Sequence, residues 1–164
     1  MNDQAVSPAR LAFTTPAGFF ALGFGSGLAP KAPGTAGTVL AVPLYLLMQP
    51  LPLVTYLLIT TCLFIAAIWI CTYAAEKLGV HDHPSIVIDE IVGYLITMVA
   101  APAGWLPVLT GFILFRLLDA VKPWPISWFD RNVNGGLGIM LDDVIAGIIA
   151  MAIIQGLVYF QILS

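Results

Sequence analysis

The sequence predicts an all-α, polytopic integral membrane helical bundle with a polar site at its cytoplasmic face. About five short transmembrane helices are expected, each near the length needed to cross a bilayer. Three observations carry this. The 164 residues are 60% apolar and only 9% charged, whereas a soluble domain carries about 25% charged residues. Mean hydropathy is correspondingly high, at +0.98. Three long runs, Thr38–Ala75, Ile91–Phe115 and Val144–Ser164, contain no charged side chain. The charged clusters hold Arg10 and Lys31, then Glu76 to Glu90, then Arg116 to Asp143. If the first two runs each fold as a helical hairpin, every charged side chain returns to one face of the membrane. Acids gathered at one face of an apolar bundle point to a functional site there.

The elements follow in order. Met1–Arg10 is polar, and the apolar stretch after it is broken by Pro16, Gly18, Gly23, Gly25 and Gly27, so no secretory signal is expected. The glycines of Leu11–Pro30 argue against a full span, so residues 1–30 are expected to lie on the surface or to enter as a re-entrant segment. Gln49-Pro50-Leu51-Pro52 interrupts the first uncharged run. Two prolines in a polar break end a helix rather than kink it. A hairpin of Thr35–Met48 and Leu53–Ala75 follows. Ala101-Pro102-Ala103-Gly104 divides the second run into Ser85–Ala100 and Trp105–Asp119, with Trp105 where an interfacial aromatic belongs. The last span is Asp143–Ile162.

That arrangement puts the N-terminus and the charged loops on one side and the C-terminus on the other. All six Lys and Arg fall on the charged side, which the positive-inside rule makes cytoplasmic. Residues 1–164 are expected to form one domain. The net charge of −3 excludes a nucleic-acid binder. Cys62 and Cys71 lie inside an apolar helical run and give neither a disulfide framework nor metal-ligand spacing.

Four polar constellations remain. Lys31-Ala32-Pro33-Gly34-Thr35-Ala36-Gly37-Thr38 runs into the first span. A glycine-bearing loop that opens a helix exposes backbone N–H groups at the positive end of the dipole, which suits phosphate. Lys31 adds a cation, and Thr35 and Thr38 add hydroxyls. The plainer alternative is a helix capped by Thr35. In His81-Asp82-His83-Pro84-Ser85-Ile86-Val87-Ile88-Asp89-Glu90, Pro84 suits a first helical turn, with Asp82 or His83 as cap. Asp89 and Glu90 then sit roughly 7 Å below the helix start. Carboxylates at that depth need a cation, a donor or a proton.

Arg116 and Asp119 share a helix face three residues apart, and Lys122 follows. Gly135-Gly136-Leu137-Gly138-Ile139-Met140-Leu141-Asp142-Asp143 leads into the last span, with Asp142 a natural N-cap and Asp143 left over. Asp89, Glu90, Asp119, Asp142 and Asp143 thus form one acidic face. Clustered carboxylates repel unless a cation lies between them, and hard ions such as Mg²⁺ take oxygen ligands. Lys31, Arg116 and Lys122 are placed to hold a phosphate. Neither Cys precedes a glycine-rich loop with an Arg, so attack by metal-activated water is favoured over a covalent intermediate.

These segments resemble the phosphatidylglycerophosphatase A family from about Gly23 to Gly147. The likeness rests on Gly25-Ser26-Gly27-Leu28-Ala29-Pro30-Lys31-Ala32-Pro33-Gly34-Thr35-Ala36-Gly37-Thr38, on Ile88-Asp89-Glu90-Ile91-Val92-Gly93, on Phe115-Arg116-Leu117-Leu118-Asp119-Ala120-Val121-Lys122-Pro123-Trp124-Pro125-Ile126, and on Gly135-Gly136-Leu137-Gly138-Ile139-Met140-Leu141-Asp142-Asp143-Val144-Ile145-Ala146-Gly147.

The resemblance implies a Mg²⁺-dependent enzyme of the bacterial inner membrane. It would remove the terminal phosphate of a phospholipid in the bilayer, phosphatidylglycerophosphate, leaving phosphatidylglycerol. From the chemistry of the residues themselves, the catalytic acids are expected among Asp89, Glu90 and Asp143. The competing classes are a cation or proton transporter, disfavoured by the apolar far half of each span, and a headgroup transferase. The latter is disfavoured by the lack of a repeated Asp spacing along one helix.

Overall fold

The computed structural model describes residues 5–163. The polar start of the chain, with Asp3 of the charged face, lies outside them. Among the described residues the chain is all helical, with no strand. The order is α1 (Pro8–Thr14), α2 (Pro16–Ala21), a 3-10 segment (Gly23–Leu28), α3 (Pro33–Met48), α4 (Leu53–Leu78), α5 (Ile88–Thr97), α6 (Trp105–Val121), α7 (Ile126–Asn132) and α8 (Gly135–Tyr159).

The hairpin expected from Gln49–Pro52 joins α3 to α4, and the break at Ala101–Gly104 joins α5 to α6. Helix boundaries shift for local reasons. α3 opens at Pro33, after Ala32 in the left-handed region at φ 48°. Thr35 is therefore the third helical residue, not its cap. α4 runs one turn beyond Ala75, until Gly79 at φ 70° turns its N–H back onto the Ala75 carbonyl. α6 ends on Lys122, also left-handed at φ 46°.

Two expectations fail. Pro84 does not open α5, and neither Asp82 nor His83 caps it. Residues 79–87 form a strap in which the Ser85 N–H donates to His83 Nδ1 at 3.1 Å and the Val87 N–H donates to the Ala21 carbonyl at 2.9 Å. Those bonds hold the backbone out of the helix until Ile88. The stretch carrying Asp130 and Arg131 forms the short helix α7. The last helix begins at Gly135, not Asp143, so Asp142 is not an N-cap. Glycines discourage a helix only where packing does not require them. Here a Cβ at Gly136 would strike the α4 backbone at Ile68, and one at Gly138 would strike the Val133 carbonyl.

The helix ends define two ends of the molecule. The starts of α3, α5 and α8 and the finishes of α4 and α6 share the near end with α1, α2 and α7. Two helices, α4 and α8, are long and apolar enough to cross a membrane. α3 is apolar but has 16 residues. α5 has 10 residues, roughly 15 Å, half of a bilayer core.

Two buried clusters fill the interior. The near one joins Leu11, Ala21 and Leu22 to Cys71, Leu78, Val92 and Met140. The far one joins Tyr45 and Tyr56 to Ile91, Tyr94, Phe115 and Ile154. α5 and α8 run through both. They meet backbone to backbone, because a Cβ at Gly147 would strike the Gly93 carbonyl and one at Gly93 would strike the Asp143 carbonyl. Gly93 therefore admits a second backbone, that of α8.

Candidate active site

The two acid pairs enter from different helices. Asp89 and Glu90 lie in the first turn of α5. They are buried because the strap and the 3-10 segment cover that turn: a Cβ at Gly27 would strike the Ser85 carbonyl, and one at Gly23 would strike Val87. Depth thus comes from covering layers rather than from distance along the helix. Asp142 and Asp143 lie about 12 Å beyond the start of α8 at helical rise. The Gly93–Gly147 contact brings these segments together. Ligand oxygens of Asp89, Glu90 and Asp143 all lie within 4.8 Å of one another. Asp89, Asp142 and Asp143 are 7%, 7% and 3% exposed.

Each of these carboxylates has an unused oxygen. Asp89 Oδ1, Glu90 Oε2, Asp142 Oδ1 and Asp143 Oδ1 are buried without a hydrogen-bond partner. A buried carboxylate oxygen left bare is costly. Several aimed at one space fit a hard cation, which is bound by oxygen donors alone.

Cations close the other wall. Arg116 Nη1 bonds Asp119 Oδ2 and stands 3.8 Å from Glu90 Oε1. Lys122 Nζ donates to Asp130 on α7 and to Asp142 on α8, at 2.6 Å each. Burial works against the Lys122 charge, but these two bonds outweigh it and raise its pKa above the ordinary lysine value. Gly34, at the start of α3, faces the same space. A Cβ there would overlap the Glu90 carboxylate and crowd Arg116.

Together these groups line a cavity of about 300 Å³ at the near end. Of the residues marked in the sequence, Asp89, Glu90, Asp119, Asp142, Asp143, Gly34, Arg116 and Lys122 line it. Lys31, Thr35 and Thr38 do not. Lys31 is exposed outside, and the buried Thr38 hydroxyl donates to the Gly34 carbonyl at 2.9 Å. Asp82 on the strap is also a lining residue. Its place seven residues before Asp89 carries no helical signal, because the strap is not helical. His81 Nε2 accepts from the Gly135 N–H at 2.7 Å and ties the strap to the start of α8. Cys62 is exposed and Cys71 is buried in the near core, both away from the cavity.

Such a cavity, with bare carboxylate oxygens on one side and an arginine and a lysine on the other, suits a metal ion and a phosphate side by side. Comparisons with known proteins identify the family. A family model described as phosphatidylglycerophosphatase A matches residues 19–158. The chain is 47% identical over 160 residues to phosphatidylglycerophosphatase A of Escherichia coli K12, covering 97% of this chain and 91% of that one. It is 39% identical to phosphatidylglycerophosphatase A of Haemophilus influenzae, covering 93% of this chain and 95% of that one. A Bacteroides thetaiotaomicron protein, provisionally named a phosphatidylinositol-3-phosphatase, is 39% identical over 80% of this chain and 87% of its own. No solved structure matches. With the match spanning all four polar constellations and most of the helices that carry them, this chain belongs to the phosphatidylglycerophosphatase A family.

Proposed function

We propose that this enzyme, a phosphoric monoester hydrolase, removes the terminal phosphate of phosphatidylglycerophosphate within the bilayer, with Mg²⁺ held by Asp89, Glu90 and Asp143. The observation that carries the proposal is the triad of carboxylates with ligand oxygens within 4.8 Å, each having one buried oxygen without a hydrogen bond, and set opposite Arg116. Asp119 and Asp142 complete the acidic ring. Bound there, Mg²⁺ would screen the phosphate charge and lower the pKa of a coordinated water.

The protein's own groups do the rest. A guanidinium can grip two phosphate oxygens. Arg116 is held ready for this by Asp119, while Lys122 supplies a further positive charge. One acid of the triad takes the proton as water oxygen attacks phosphorus. The P–O bond to the glycerol then breaks, and a proton goes to the leaving oxygen. The products are phosphatidylglycerol and inorganic phosphate. Lys31 and Thr35, outside the cavity, would act on the incoming headgroup rather than on the bound phosphate, and Thr38 would hold the Gly34 turn.

The chain is further proposed to be one domain in the bacterial inner membrane, with this cavity facing the cytoplasm and about five helices entering the bilayer. α4 and α8 support crossing by their length. Leu58, Ile65, Leu109, Ile113 and Leu117 support it by standing exposed along α4 and α6. α5 enters only part way and ends against the far core.

The test is phosphate release from purified protein in lipid micelles. Phosphatidylglycerophosphate should turn over with Mg²⁺ and stop on chelation. Phosphatidic acid and glycerol phosphate should be poor substrates, because the glycerol phosphate headgroup carries its phosphate further from the acyl chains. Phosphatidylinositol 3-phosphate is the competing lipid. Equal kcat/KM for all would refute the headgroup assignment, and full activity under chelation would refute the metal.

A further inference from the structure

We propose that α1, α2 and the 3-10 segment form an anchor lying in the plane of the near leaflet, with Phe13, Phe20 and Phe24 buried among its acyl chains. The proposal rests on the membrane reading above and goes beyond it by assigning a surface that the spanning helices do not use.

Three observations carry it. The phenylalanines are 72%, 44% and 47% exposed. Phe20 and Phe24 nevertheless meet edge to face at 5.3 Å, and Phe19 joins them at 6.1 Å and 5.3 Å. A preformed aromatic cluster left open is what an interfacial segment presents to lipid. Second, residues 11–30 carry no charge, yet exposed Arg10 and Lys31 bracket them. Cations at both ends of an apolar in-plane segment suit the anionic phosphates of the headgroups.

Third, the side-chain hydroxyls of α1 and α2 and of the caps before them bond to their own backbone, although Ser26 Oγ in the 3-10 segment is buried without a partner. Ser7 Oγ accepts from the Arg10 N–H, and Thr15 Oγ1 accepts from the Gly18 N–H. Thr14 and Thr15 donate back to the Arg10 and Leu11 carbonyls, at 2.6 Å and 3.2 Å. Thr72 of α4 and Thr97 of α5 bond their helices in the same way. Hydroxyls turned onto their own helix suit surroundings without water.

The anchor is joined to the cavity. The Ala21 carbonyl accepts from the Val87 N–H, directly before the turn that carries Asp89. The height of the phenylalanines in the leaflet therefore sets the height of the acids.

The test uses the full chain in phosphatidylcholine–phosphatidylglycerol vesicles, with Cys62→Ser and the fully buried Cys71 left in place. Nitroxides are attached at Phe13→Cys, Phe24→Cys, Leu58→Cys and, as an aqueous reference, Arg131→Cys. Collision with oxygen should exceed collision with a water-soluble nickel chelate at positions 13, 24 and 58, and fall below it at 131. If 58 favours oxygen while 13 and 24 favour nickel, the anchor is overturned and the spanning bundle stands. If 58 also favours nickel, the membrane reading fails and the anchor with it. A Phe13→Ser, Phe24→Ser variant should lose turnover on lipid in vesicles but keep it on the same lipid in detergent micelles. Equal turnover in vesicles would remove the link between anchor and acid height.

Discussion

Replacing Gly34 by Ala separates two reasons for a glycine at the mouth of a phosphate site. One is backbone access: bare N–H groups at the start of α3 bind the phosphate. Alanine keeps every one of those donors. The other is space: the new Cβ would occupy the position of Glu90 Oε1 and press on Arg116 Nη1. Both obstacles are tips of flexible side chains, so the helix can accept the methyl by pushing them aside. Alanine is also favoured over glycine in a helix by up to about 1 kcal/mol. Stability should therefore hold or rise slightly.

Activity should not hold. Moving one of three carboxylates that lie within 4.8 Å of each other breaks the triad. A misplacement of about 1 Å can cost roughly 10²-fold in rate, which corresponds to about 2.7 kcal/mol of barrier. The assay pairs thermal unfolding with initial rates of phosphate release at saturating Mg²⁺. Gly156→Ala, where a Cβ meets nothing within 4 Å, is the control and should leave the rate unchanged. A Gly34→Ala enzyme with more than half the parental kcat would refute the claim that Gly34 makes room for Glu90.

Other outcomes follow from the same geometry. Asp89→Asn and Asp143→Asn should each lower kcat by roughly 10²-fold or more. Both should keep or raise the unfolding temperature, since each removes a buried, unpaired oxygen charge; a loss of folding would make them structural. Arg116→Lys keeps the charge but loses the two-pronged grip, so kcat/KM should fall by more than about tenfold; parental kinetics would show that Arg116 serves only Asp119. Single cysteines at Gln49 and Ala103 should react with an impermeant thiol reagent added outside intact cells, and one at Asn134 should not; the opposite pattern would invert the bundle.

Much of the site was legible because its chemistry is carried by residue types that have no other reason to sit in an apolar chain. Asp89, Glu90, Arg116, Asp119 and Asp143 could be grouped from the spacing of uncharged runs alone. The cause of the burial of Asp89 could not be read there, because it depends on the strap and the 3-10 segment folding over the start of α5. Nor was the partner of Asp142 visible. The glycines at 135, 136 and 138 looked like a loop, and a loop made Asp142 a cap. In the structure Gly136 and Gly138 make close contacts with α4 and Val133, the helix starts earlier, and Asp142 meets Lys122 instead. Helix α7 was hidden for a similar reason: it is too short to show a period, and its packing on α8 sustains it.

The far core has a consequence for the cell rather than for the reaction. Below the acids, Phe115, Tyr94, Met98 and Ile154 are fully or almost fully buried. The hydroxyls of Tyr56 and Tyr94 are donated to the Leu95 and Val108 carbonyls, at 2.7 Å and 3.1 Å. In a bilayer that plug would set buried rings and two hydroxyls already bonded to backbone carbonyls between the acids and the far end. An enzyme with several acids sunk in an energised membrane would otherwise short-circuit the gradient across it. On the proposed reading, the aromatic layer would insulate the hydrolytic chemistry from the electrical work of the membrane.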